Sequence, residues 1–495
     1  MAIKLFNEKE PAPGTEFGKP ELYAIAVGTV IGSGVITLIV PAIKMTGYSA
    51  WLAYACAIFM GVCMISPYFF ISSTLRVGGG AYSLLNGLGG PRLGGIYAFV
   101  SLAQCFGLSL FGTSAAAYLG DIFPLLGSNT AHIIVGVALL TFFYVVNLFG
   151  MNIMAKVQKP MVWLLIAALL LFTVVGITQI KLPIFDVADS NWLINGWGLT
   201  FNDKGLISGG FFGAVLLFIY SCNGYYMLTA YGRNAKNPRR DIPLVLLACI
   251  PTLLVVYVGS AIAATGTLSL EEYGQSTTLV FAARSIFSPI VFMVFIIAGP
   301  IMALLSTLNT SFAARGMDVG QSCNDGWLPT WLGRRNKHGA PAAALTFFYI
   351  AGVIPIVLQM SITTLTNLVQ LIVAFFMFLN FFGFIRMPKL YPNAWKKSRF
   401  HVPNYIYYCF CTLSLLVSCI TIWKTCLSLS RGLAIGNVVV IVVLSATSII
   451  RSTTNKDVNI HTSIWSGDEA EDQAATAMNR ATIEKMPHTI ENASV

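Results

Sequence analysis

Residues 30–38 read VIGSGVITL, two glycines and a serine in the middle of a long apolar run. In hydrocarbon an unpaired peptide group costs several kcal/mol, so a helix unwinds there only where it lines a cavity or binds something. A second interruption, YSCNGYY at 220–226, falls in another apolar run. The polar side chains at membrane depth are uncharged: Ser33, Gln104, Tyr220, Ser221, Cys222, Asn223, Tyr225, Tyr226, Ser306, Thr307, Asn309, Asn367 and Asn380. If Gly32, Ser33 and Gly34 unwind, the N–H groups opening the second half-helix carry about half a positive charge and form an anion site. Carbonyls freed near residues 27–31, Val27 and Ile31 among them, and near 220–223 favour a cation. Two such breaks facing each other make a dipolar site without a charged side chain, and a zwitterionic α-amino acid fits it.

What is missing narrows the chemistry further. The chain has 20 acidic residues and 5 histidines, and all read as lying in tails, loops or the ends of apolar runs, Glu21 and Asp121 coming closest to the interior. A membrane protease or metalloenzyme needs such groups at depth as ligands or bases. The expectation is therefore binding and translocation, not an enzyme, with no metal site and no cofactor. Nearly all the cysteines fall in apolar runs, with Cys323 read as lying in a loop, and no disulfide is expected.

The elements that must position these residues are helices. Of 495 residues, 56% are hydrophobic and 10% charged, against roughly 25% charged in soluble domains. Given that about 20 apolar residues cross a bilayer, spans are expected near 20–46, 49–75, 93–124, 131–150, 155–180, 205–231, 242–266, 278–313, 341–359, 362–386, 403–426 and 431–451. The fold class is an all-α polytopic membrane protein of twelve transmembrane helices. Of the 30 basic residues only Lys44, Lys181, Lys204, Arg284, Lys424 and Arg431 fall on one side; the rest share the other, which makes that side cytoplasmic and places both termini there. The net charge of +10 is thus a topology signal, and no nucleic-acid partner is needed. The partners expected are a small solute and the lipid bilayer. Residues 1–19 are polar and read as a cytoplasmic tail, with no cleavable signal peptide. The stretch 452–495, with GDEAEDQAATA at 467–477, reads as a disordered cytoplasmic tail.

The two interruptions lie in the first and sixth spans, with four spans between them. Matched breaks in corresponding helices are the mark of an inverted repeat with a site at the midplane. Here that gives a twelve-helix domain over 20–451 with a 5+5 arrangement, repeats about 20–180 and 205–386, helices 1 and 6 broken at the midplane, and extra helices 403–451 outside the repeats.

Four motifs carry a family resemblance: IGSGV at 31–35, GGAY at 79–82, KNPRRDIP at 236–243 and AARGMDVGQSCNDGWLP at 313–329. Together they make the chain, over roughly 19–451, similar to the amino acid–polyamine–organocation permeases, whose fold is the leucine-transporter-like inverted repeat. The resemblance implies that Gly32, Ser33 and Gly34 hold a substrate carboxylate, that Tyr220 is an outer gate, and that Cys222, Asn223 and Gly224 lie beside the substrate, Gly224 being the flexible point. Many relatives carry acidic residues where Asn223 and Tyr226 stand and glutamate where Asn234 stands. Some place a lysine midway along the fifth span, where the register here puts Leu165. Exchange, facilitated transport or sodium coupling then remain, sodium drawing on carbonyls of the first span and on Ser306, Thr307, Thr310 and Ser311. The expected activity is transport of a small neutral amino acid across the plasma membrane by alternating access. An amine or polyamine carrier and a non-transporting sensor of the same fold stay open as alternatives.

Overall fold

The structure, a computed structural model, describes residues 17–202, 207–222, 224–274, 278–429, 431–454, 458 and 463–484. Its first half runs α1 (Lys19–Val30), α2 (Ser33–Thr46), α3 (Ala50–Thr74), α4 (Gly80–Gly89), α5 (Pro91–Val100), α6 (Cys105–Ile122), α7 (Asn129–Leu148) and α8 (Met151–Thr178). The second half begins with α9 (Phe211–Phe218), α10 (Pro238–Leu253) and α11 (Gly259–Thr267), then the short α12 (Leu270–Tyr273), α13 (Leu279–Ile286) and α14 (Pro289–Ile296). There follow α15 (Met302–Asn324), α16 (Ala342–Val357), α17 (Ile362–Phe384), α18 (Met387–Leu390), α19 (Pro392–Lys397), α20 (Asn404–Ser428), α21 (Arg431–Thr454) and α22 (Glu469–Glu484). Two-residue strands β1 (Arg76–Val77) and β4 (Ile464–Trp465) pair antiparallel, as do β2 (Thr200–Phe201) and β3 (Ile207–Gly209). Ten helical stretches among the described residues are long and apolar enough to cross a membrane, and Ala342–Val357 is a shorter apolar helix.

The apolar composition is spent on two surfaces. One is a core of interlocked helices. The other is an outward face: on α21 alone Ile435, Val438, Val439, Val440, Val442, Val443, Ile449 and Ile450 are exposed, a patch no soluble monomer would present to water. Inside, α1, α3, α9 and α10 pack as one group and α6, α7, α15 and α16 as another, with α8 against α1, α11 and α15. The site lies between these groups.

Polar residues brace the seam. Asn309 donates to Gln158 Oε1 (2.9 Å) and Met154 O (3.1 Å), and its own Oδ1 accepts from Asn147 (3.1 Å), which ties α15 to α8 and α7. GGAY and the motif on α15 meet directly. Asp318 Oδ1 accepts from Tyr82 N (3.0 Å) and Oδ2 from Tyr97 Oη (3.2 Å), while Asp325 accepts from Tyr82 Oη (2.7 Å), Asn86 Nδ2 (3.0 Å) and Gln321 Nε2 (3.1 Å). These contacts of the two motifs therefore brace α4 and α5 against α15. Asp325→Ala orphans three buried donors and is expected to cost about 3 kcal/mol, read as a lowered midpoint of thermal unfolding in detergent, with Asp325→Asn falling less.

Three sequence expectations are corrected here. The eighth span does not end at 313: α15 runs to Asn324, so Arg315 and Asp318 are buried within a helix, as is Cys323, expected in a loop. Lys424, assigned to an outer loop, is buried on α20. The tail is not structureless over 463–484. Asp468 Oδ1 caps α22 by accepting from Ala470 N (3.2 Å) and Glu471 N (3.3 Å), and Glu469, Glu471 and Asp472 sit in its first turn, where the helix dipole favours acids. Composition alone marked the segment as solvated; its cap and its alanines make it a helix.

Candidate substrate site

The first span is broken where the glycines stand. α1 stops at Val30, Ile31 takes φ −80°, ψ 86° and Gly32 φ −115°, ψ −141°, and α2 starts at Ser33 with no side-chain cap on its N-terminus. The sixth span breaks too. α9 ends at Phe218, a tight 3-10 turn covers Ile219–Cys222, and Gly224 at φ 124° opens a second 3-10 run, Tyr225–Arg233. Asn223 lies outside the described residues.

The breaks face each other through their backbones. A Cβ on Gly224 would strike Thr29 O and come 3.0 Å from Thr29 C, and one on Gly34 would overlap Ser221 Cβ and lie 2.9 Å from Ser221 Cα. Only glycine permits either approach. One on Gly32 would lie 2.9 Å from Thr307 Oγ1.

A tyrosine missed in the sequence holds the pair together. Tyr257, on the π-helical turn Leu254–Val258, lies within hydrogen-bond reach of both Val30 O and Ser221 O (3.1 Å each), the carbonyls beside the two breaks. Its ring stacks on Tyr54 (4.9 Å between centroids), which stacks on Phe218 (3.8 Å), and the hydroxyls of Tyr54 and Ser221 are 2.8 Å apart. Nothing in an apolar run marks one tyrosine from another; only the facing carbonyls do.

A cavity of about 100 Å³ opens at this junction. Of the expected residues, Gly32, Gly34, Gln104, Tyr220, Gly224, Thr307 and Ser311 line it. Gln104 Oε1 is buried there without a hydrogen-bond partner among the described residues. Val27, Ile31 and Cys222 are buried beside it instead: Val27 O accepts from Ile31 N (2.8 Å), and Cys222 Cβ packs where Gly61 leaves room. Ser33 opens α2 with its backbone. Met64, Phe111, Val369, Gln370, Val373 and Met377 complete the wall; their spans showed no break to single them out. Arg315 also lines the cavity, its Nη1 3.9 Å from Asp318 Oδ2, so the site is not free of charged side chains as the sequence suggested.

The four hydroxyls considered for sodium behave differently from one another. Ser306 donates to Ala303 O (3.0 Å) and Thr310 to Ser306 O (3.0 Å) and Thr307 O (3.1 Å), within their own helix, a common habit of mid-helix Ser and Thr. Thr307 Oγ1 likewise lies 2.9 Å from Ala303 O in its own helix, but it is also 2.9 Å from Gly28 O on the first span. Replacing it by Val removes this tether at nearly constant volume and is expected to slow initial uptake about tenfold, equivalent to ~1.4 kcal/mol; an unchanged rate would show the tether to be dispensable. On the fifth span Gln158 and Val162 pack on Gly28 of the first, Gln158 Nε2 donates to Ala24 O (3.4 Å), and Lys159 Nζ reaches Glu21 Oε1 (2.9 Å).

A bundle of apolar helices, two of them interrupted around a small cavity, defines a polytopic membrane protein. The chain belongs to the amino acid permease family, whose model matches residues 17–458. It is similar to the branched-chain amino acid permease BcaP of Lactococcus lactis, 23% identical over 359 residues covering 68% of this chain and 74% of that protein. An uncharacterized protein of Methanocaldococcus jannaschii is 22% identical over 323 residues, 64% of this chain and 70% of its own. The general amino acid permease AGP3 of Saccharomyces cerevisiae is 23% identical over 226 residues, 43% of this chain and 38% of AGP3.

Proposed function

We propose that the chain is a secondary transporter that moves a small neutral amino acid across the plasma membrane by alternating access. The observation that carries this reading is the pair of facing breaks around one cavity. The uncapped N–H groups of α2 suit a carboxylate. The ammonium falls to carbonyl lone pairs at the end of α1 and at Ile219–Cys222, with Tyr257 between them, and Tyr220 is the gate. A wall of Met64, Phe111, Val369, Val373 and Met377 suits an uncharged side chain. An engineered cavity of about 150 Å³ takes up benzene, so about 100 Å³ suits a small substrate, and a branched-chain amino acid such as the name of the Lactococcus relative suggests would need the cavity to widen on binding. Arg315 on the same cavity repels a second cationic group, which favours neutral amino acids over polyamines.

Twelve crossings are supported by length: Lys19–Thr74 spans 56 residues, enough for two, and Ala342–Val357 adds one to the ten long stretches. The inverted repeat rests on the matched breaks, and the cytoplasmic termini on the distribution of basic residues. The test is uptake into proteoliposomes of radiolabelled leucine, valine, alanine, glutamate, arginine and putrescine. Saturable uptake of the small neutral set, cross-competing and unaffected by arginine or putrescine, is expected. Transport of putrescine alone would move the chain to the amine carriers, and no flux of any probe would favour the sensor reading.

A further inference from the structure

The segment 463–484 is attached to both helix groups at one membrane face. On one side it joins the group containing α3 and α10. β4 pairs with β1, which follows α3, in the register Arg76↔Trp465 and Val77↔Ile464; Gly78 N donates to Ser463 O (2.8 Å), and Arg239 Nη2, in the first turn of α10, donates to Trp465 O (3.4 Å). On the other side α22 lies on α4, α5 and α18, and α5 leads directly into α6 of the second group. Asn479 Nδ2 donates to Gly87 O on α4 (2.9 Å), while the Glu471 carboxylate ties α22 back to the first side, accepting from Asn393 N (2.7 Å) and Ala394 N (3.2 Å) at the start of α19, which packs on α3. Ile464 is buried and occupies the space above Gly87.

These contacts bridge the seam that rocking of one group against the other must open. A strap anchored on both sides of a moving interface raises the free energy of the open state by whatever its contacts are worth, because opening breaks them and closing does not. We propose that residues 463–479 form a latch that holds this face closed, and that releasing it is a control point for opening there. Its bonds suit that role: the β1–β4 pairing, the Arg239 and Asn479 hydrogen bonds and the Glu471 cap are single, separable contacts whose loss biases the equilibrium toward opening. The consequence for transport rests on the alternating-access reading above; the latch itself does not.

Hydrogen–deuterium exchange of the full-length protein in nanodiscs separates the two. Glu471→Ala removes the α19 cap, and Ile464→Asp removes the buried strand anchor. Each is expected to speed exchange at least threefold in 80–90 and 225–240, on opposite sides of the seam, with 151–178 unchanged as a folding control. Faster exchange confined to 463–484 would overturn the latch. Glu471→Gln, which keeps one acceptor oxygen, is expected to fall between wild type and Glu471→Ala. Initial uptake of radiolabelled leucine into proteoliposomes should rise at least twofold in both variants; unaltered leucine uptake alongside faster seam exchange would also count against the latch as a control point. Absence of leucine flux in wild type and variants alike would instead fail the transport reading, leaving the exchange measurement to decide the latch.

Discussion

Gly34→Val is expected to abolish amino acid uptake while the protein still inserts and elutes as a single species in detergent. The new Cβ would occupy the space of Ser221 Cβ and sit 2.9 Å from Ser221 Cα, so one of the two breaks must retreat. Ser221 cannot retreat freely. Its hydroxyl lies against Tyr54 and Phe218 O, and its carbonyl against Tyr257. Overpacking of this kind costs about 1–3 kcal/mol, and a misplaced binding pole loses rate as well. A fall in initial uptake of at least about 100-fold is the expected reading, ~2.7 kcal/mol in the transport barrier. Gly224→Ala is the companion, striking Thr29 O from the other side at a positive φ that alanine disfavours. Uptake at the wild-type rate in either variant would remove the facing-break site altogether.

Tyr257→Phe is the second large effect. It keeps the ring and its stacking on Tyr54 and deletes only the hydroxyl between Val30 O and Ser221 O. The buried carbonyls then lose a donor, at about 1–3 kcal/mol, and with it the phenol that reaches both breaks. Uptake efficiency should fall about 30-fold, near 2 kcal/mol, with a smaller fall in thermal stability because the helices themselves are intact. Tyr54→Phe, which loses a hydroxyl contact to one break only, should cost less. Equal losses in the two variants would assign Tyr257 a packing role.

Much of this was legible from residue types because hydrocarbon makes backbone exposure costly. A GSG in an apolar run can serve close helix packing, but the matched YSCNGYY five spans on favoured an interruption, and the structure breaks at Ile31 and Gly32, one residue from the serine. The second break was equally plain at Gly224. Less legible were features that depend on how separate runs meet. Tyr257 gains its role from two carbonyls more than 35 positions away on one side and more than 200 on the other, which no local pattern encodes. Gln158 and Val162 face Gly28 because the phase of α8 is set by packing. Arg315 was placed beyond the eighth span because charge was taken to end a hydrophobic window. Yet a helix can run on through Asp318 when Tyr82 and Tyr97 supply the hydrogen bonds. The tail misled for the opposite reason, its charge density masking a capped helix.

The contacts between the breaks are almost wholly main chain: Gly224 on Thr29, Gly34 on Ser221, both carbonyls on one phenol. Main-chain geometry is the part of a protein that point substitution edits least. The wall opposite, Phe111, Val369, Val373 and Met377, is ordinary side chain and free to vary. Under the transport function proposed above, descendants of such a scaffold would inherit the main-chain site intact while exchanging one cargo for another, residue by residue, on the far side.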